Sequence, residues 1–122
     1  MTSNDELPRI LIVEDEPLIA AVFSEVLLDA EFAVAGVVSK IDDALAIIEG
    51  DACDGAILDT NLFGVSSVPI AEALAARGIR YLVISGYLPE QLPVMFQDAP
   101  FLRKPVGLEQ LIDAFRALFP KE

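Results

Sequence analysis

The sequence predicts a doubly wound α/β domain: a five-stranded parallel sheet with helices on both faces. Two observations carry that reading. Short apolar runs alternate five times with stretches that show helical spacing. The strand runs, such as Arg9-Ile-Leu-Ile-Val13 and Tyr81-Leu-Val-Ile84, are continuously apolar rather than alternating, as expected of strands covered on both faces.

Taken in order, residues 1–8 form a flexible arm, residues 9–119 the domain and residues 120–122 a tail. After the first strand come Glu14-Asp15-Glu16, then Pro17, a residue suited to a first helical turn. Leu18, Ile19, Val22, Phe23, Val26 and Leu27 stripe that helix. Phe32 to Val38 reads as the second strand. Ser39 to Asp42 reads as a helix cap with Asp42 near the box position, and Gly50 as the stop of the second helix. Gly55-Ala-Ile-Leu58 is the third strand and ends in Asp59. Ser66 or Ser67 caps the third helix, and Arg77-Gly78 ends it. The fourth strand ends in Ser85-Gly86-Tyr87. Pro89 and Pro93 break the helical pattern that follows, which predicts a short or irregular fourth helix. Pro100 to Arg103 is a short fifth strand ending in Lys104-Pro105. Leu108, Leu111, Ile112, Phe115, Leu118 and Phe119 stripe the last helix.

Composition bounds the function. The 122 residues suffice for one domain with its own core, and 54% are hydrophobic, which excludes intrinsic disorder. No run reaches membrane-spanning length and the start lacks signal-peptide features, so the expectation is a cytoplasmic protein with no membrane contact. A net charge of −12 argues against direct binding to nucleic acid. With no histidine and only Cys53, a Cys/His zinc site, a disulfide framework and a histidine-based triad or general base are all excluded within the chain. Cys53 reads as a small apolar filler.

The polar residues at the strand ends form a pattern. Strand one gives Glu14 and Asp15, strand three Asp59, strand four Ser85 and strand five Lys104. In the order 2-1-3-4-5, strands one and three are neighbours flanking the topological switch point. Three carboxylates converge there and repel, and a hard cation with oxygen ligands, Mg²⁺ first, is the natural answer. An aspartate can attack phosphorus to give an acyl phosphate. The barrier is largely electrostatic, because the incoming group is itself anionic. A metal and a fixed ammonium, Lys104, lower it. Ser85 is placed to hydrogen-bond a phosphoryl oxygen, and Gly86 to let its N–H approach. Any one of these residues alone is an ordinary cap or turn; the four successive strand ends together carry the reading that Asp59 accepts phosphate.

Ile10-Leu-Ile-Val-Glu14-Asp15-Glu16, Ala56-Ile-Leu-Asp59-Thr-Asn61, Val83-Ile-Ser85-Gly86-Tyr87 and Phe101-Leu-Arg-Lys104-Pro105 resemble the response-regulator receiver domain, the CheY-like, flavodoxin-like family of bacterial two-component signalling. The resemblance spans about residues 9–119. It implies that Asp59 takes phosphate from a phosphohistidine on a histidine kinase or a histidine phosphotransfer protein. It implies that Asp15 binds Mg²⁺ directly, Glu14 acts nearby through water, and Asn61 lends its backbone carbonyl. It implies that Lys104 pairs with the phosphoryl group, with a cis Lys104–Pro105 bond. Ser85 moves toward the phosphate and Phe101 turns inward, altering the face that meets an unknown downstream protein target; a plain core aromatic is the other reading of Phe101. Receivers often form homodimers through their last two helices. With the chain ending at Glu122, the expectation is a stand-alone receiver or one cut from a larger regulator.

Three departures stand out. Phe63 replaces the family's frequent proline after the phosphoacceptor, the fourth-helix region is broken, and Tyr87 stands where its ring can shield an acyl phosphate from water. Two rival readings fit parts of the same pattern. One is a receiver-like protein-binding module that is never phosphorylated. The other is an aspartate-nucleophile phosphatase, which needs a second acid two residues on, where this chain has Asn61.

Overall fold

The computed structural model describes residues 7–120. Most of the expected arm (residues 1–6) and tail (residues 121 and 122) lie outside them. The main sheet holds β1 (Arg9–Val13), β2 (Ala33–Val38), β3 (Gly55–Asp59), β6 (Arg80–Ser85) and β7 (Phe101–Arg103). Its order is β2-β1-β3-β6-β7, all parallel. Numbering these five strands alone gives the expected 2-1-3-4-5. The labels β4 (Asn61–Leu62) and β5 (Val65–Ser66) belong to a small antiparallel hairpin.

Alternation along the strands fills two apolar layers. Leu11, Val13, Ala56, Leu58 and Val83 face α2 (Ile41–Glu49), α3 (Val68–Ala76) and α4 (Val94–Gln97), and pack with Ala44, Ile48, Ile70, Leu74 and Phe96. Ile10, Ile12, Ile57, Leu82 and Ile84 face α1 (Pro17–Asp29) and α5 (Leu108–Leu118), and pack with Phe23, Leu27, Leu111 and Phe115. Gly55 lets this second layer close up, because a Cβ there would lie 2.8 Å from the Phe119 ring and would have to push it aside. Cys53 is buried, as an apolar filler should be.

Register positions the polar residues. Val13 of β1 pairs with Leu58 of β3, and Asp59 is opposite Ile84 of β6. Ser85 is opposite Arg103 of β7. Residues just beyond these positions, Glu14 and Lys104 among them, therefore leave the sheet at one edge, beside Asp59.

Several local expectations are corrected. Neither Ser39 nor Asp42 caps α2: Lys40 takes the N-cap position without a side-chain bond, and Asp42 sits in the first turn, where its charge suits the helix dipole. Gly50 does stop α2, as expected, taking the C-cap position at an ordinary φ of −83°; the left-handed residue is the next one, Asp51, at φ 54°. Ser67 precedes α3, yet its hydroxyl donates to the Asp59 carbonyl instead of capping. Gly78, at φ 68°, ends α3 as expected. The broken fourth-helix region is a 3₁₀ turn (Pro89–Gln91) followed by one α-turn, α4, separated by Pro93.

The hairpin was not foreseen. Its turn residues Phe63 and Gly64 have φ of 51° and 84°, the left-handed pair that a two-residue hairpin turn needs. Phe63 is an unusual choice for such a position.

Candidate functional site

Glu14 follows β1 directly, and its N–H donates to the Val38 carbonyl at 3.0 Å. Its side chain is fully buried. Oε2 accepts the Glu16 N–H at 3.1 Å and Lys104 Nζ at 3.4 Å. Oε1 lies 3.1 Å from Lys104 Nζ but receives no well-directed hydrogen bond from any described residue. Asp59 ends β3 at 5% exposure. Its Oδ2 accepts Lys104 Nζ at 2.8 Å and its Oδ1 accepts the Asn61 N–H at 3.3 Å. Asp15 is half-buried, and its Oδ2 accepts the Phe63 N–H at 2.8 Å.

Glu14, Asp15 and Asp59 each bring one carboxylate oxygen within 4.8 Å of the others. At that spacing each ionised pair repels by roughly 3 kcal/mol for an effective dielectric near 20. Lys104 alone cannot neutralise three acids. The strain shows in Glu14: burial first, then the Asp59 charge, push its carboxyl up to about 7, against the pull of Lys104. Burial acts to lower the Lys104 ammonium, but its hydrogen bonds to Asp59 and Glu14 outweigh that and leave it raised. An all-oxygen donor set with an orphaned buried Glu14 Oε1 fits a hard divalent cation such as Mg²⁺.

Ser85 is buried beside this cluster but is not bonded to Asp59. Its Oγ accepts the Thr60 hydroxyl at 2.8 Å and the Tyr87 N–H at 3.1 Å. Its carbonyl accepts the Lys104 N–H at 2.8 Å, tying β6 to the lysine. A Cβ on Gly86 would meet nothing within 4 Å, so packing makes no demand for glycine there. Asn61 opens the hairpin, and its side-chain Oδ1 accepts the Gly64 N–H at 2.8 Å. The Lys104–Pro105 bond is cis, as the resemblance implied. Phe101 is half-buried against the α2–α3 layer. Tyr87 is 57% exposed and lines a cleft of about 290 Å³ with Thr60, Asn61 and Phe96.

Sequence reading therefore found the acids and the lysine. It missed Thr60, Ser67 and the Phe63 backbone amide. Thr60 and Ser67 are small hydroxyl residues beside a strand or helix end, where a turn role is the ordinary reading. A backbone donor leaves no mark in side-chain pattern.

No curated protein sequence matches the chain. Solved structures do. The solution structure of SdrG from Sphingomonas melonis Fr1 is 41% identical with a TM-score of 0.81, covering 96% of this chain and 98% of that one. The BeF3-activated conformation of SdrG from Pseudomonas melonis Fr1 is 40% identical with a TM-score of 0.77, covering 90% and 94%. The signal receiver domain of a modulated diguanylate cyclase from Desulfovibrio desulfuricans G20 is 28% identical with a TM-score of 0.78, covering 92% and 93%. Among the described residues no helix is long and apolar enough to cross a membrane. The response regulator receiver domain model matches residues 10–116, the span that carries Glu14, Asp15, Asp59, Ser85 and Lys104, and the chain belongs to that family.

Proposed function

We propose that this receiver accepts a phosphoryl group on Asp59 from a phosphohistidine of a histidine kinase or histidine phosphotransfer protein, uses Mg²⁺, and controls a downstream protein partner by changing shape. The observation that carries this reading is the Lys104 ammonium 2.8 Å from Asp59, on the same carboxylate that converges with Glu14 and Asp15. In the transfer an Asp59 oxygen attacks phosphorus and forms the P–O bond. The P–N bond breaks, and its electron pair leaves with the imidazole. Glu14, Asp15 and Asp59 are the residues that would hold the cation, joined by the Asn61 carbonyl as the family resemblance implies. When bound, it supplies positive charge to the phosphoryl oxygens.

The chain's own groups do the rest. Lys104 is already aimed at the site, so it stabilises the developing charge with little reorganisation. Ser85 turns toward a phosphoryl oxygen, and Phe101 answers on the neighbouring strand. Asn61 is a carboxamide and cannot serve as the general acid/base that an aspartate-nucleophile phosphatase needs two residues after Asp59, so the domain is a phosphoacceptor that assists its own phosphoryl transfer and dephosphorylation, not a phosphatase acting on other substrates.

The test is incubation with acetyl phosphate and Mg²⁺ followed by intact-mass detection. One added phosphoryl group, absent in Asp59→Asn and absent with chelator, is expected. No adduct from acetyl phosphate or other small donors would leave a protein-binding module as the reading. Steady turnover of a generic phosphate ester would point to a phosphatase instead.

A further inference from the structure

We propose that Thr60 is a positioning residue: its hydroxyl holds Ser85 in the resting position, and so sets how much phosphoryl-like ligand is needed to switch the domain. This rests on the phosphoacceptor reading of Asp59.

The Ser85 hydroxyl has two acceptor positions and one proton. Both acceptor positions are taken, by the Thr60 hydroxyl at 2.8 Å and by the Tyr87 N–H at 3.1 Å. Serine and threonine are both buried, at 1% and 5% exposure. Ser85 cannot turn toward a group on Asp59 and keep this geometry. The Thr60–Ser85 bond is therefore present in the resting arrangement and lost in the switched one, which makes it a bias on the equilibrium.

Thr60 cannot follow. Its N–H donates to the Ile84 carbonyl at 3.3 Å, and its carbonyl accepts the Ser67 N–H at 3.0 Å. The carbonyl just before it, on Asp59, accepts the buried Ser67 hydroxyl. The peptide is thus clamped on three sides, and a β-branched side chain has few rotamers to offer. Thr60 is a fixed post, and Ser85 is the part that moves. The same movement releases the Tyr87 N–H, so the bond reports on the loop that leads into the broken fourth helix.

One buried neutral hydrogen bond present in only one of two states shifts their ratio about fivefold. The experiment titrates beryllofluoride, in Mg²⁺, into the parent protein, Thr60→Val, Thr60→Ala and Thr60→Ser, following the Gly86 and Tyr87 amide resonances. Val keeps the shape of Thr without its hydroxyl, and Ala guards against a misfolded Val variant. Half-conversion is expected at about fivefold lower ligand in Thr60→Val and Thr60→Ala, and within about twofold of the parent in Thr60→Ser. In a Ser85→Ala background, Thr60→Val should change nothing. Equal titrations for parent and Thr60→Val, or a shift that survives in Ser85→Ala, would overturn the latch and leave the phosphoacceptor reading standing. A parent protein that does not respond to beryllofluoride at all would overturn both.

Discussion

Glu14 offers the sharpest measurement. Its side chain is fully buried and its carboxyl is pushed from 4.5 to about 7, by burial and then by the Asp59 charge. The sign follows from proton counting. Between those two values the folded protein holds a proton that the unfolded chain has released, so stability falls as pH rises through the window. Below 4.5 both states are protonated and nothing is lost. Above about 7 both are ionised and the whole cost is present. At about 1.4 kcal/mol per tenfold change in proton affinity, the cost is on the order of 3 kcal/mol. With a urea slope of roughly 1.5 kcal/mol per molar, that is a midpoint change of about 2 M. The assay is urea unfolding of the parent and Glu14→Gln in chelator, at about pH 5 and about pH 8. The amide keeps the shape and cannot ionise, so the parent should lose stability relative to Glu14→Gln at the higher pH. Excess Mg²⁺ should restore the parent, because a cation held by the ionised acids stabilises only the folded state. Parallel behaviour of the two proteins across both pH values would refute the account of Glu14 as a carboxylate strained by its surroundings.

Lys104→Met should cost on the order of 3 kcal/mol above about pH 7, because it strips the partner from two buried carboxylates, and the loss should shrink as Glu14 takes up its proton at lower pH; denaturant unfolding at two pH values decides it. Phe63→Asn should stabilise the protein by about 1 kcal/mol, since Asn-Gly suits a left-handed hairpin turn and the lost ring is 69% exposed; a lower melting temperature would count against the turn assignment. If the Tyr87 ring shields the acyl phosphate, Tyr87→Ala should shorten the dephosphorylation half-life, and equal half-lives would remove that role.

The order of strands and the identity of the central acids were legible because both follow from local chemistry. Apolar runs of strand length ending in Asp59, in Glu14-Asp15 and in Lys104 can be recognised one at a time, and the rules of parallel sheets bring their ends to one edge. The irregular fourth helix was legible too, since Pro89 and Pro93 act on their own backbone. What the residues by themselves left open were choices between partners. Ser67 can cap a helix or bind a carbonyl, and only the approach of the Asp59 peptide makes it do the second. Asp51, not Gly50, goes left-handed, although glycine has the lower intrinsic cost; Asp51 there accepts the Arg77 guanidinium at 2.6 Å across the fold. The Phe63 amide reaches Asp15, 48 residues earlier, only because the hairpin folds over the end of β1. Hydropathy and residue type determined which groups gather at the edge of the sheet; three-dimensional packing decided which of them touch, because a hydrogen bond is made at a distance that no local pattern encodes.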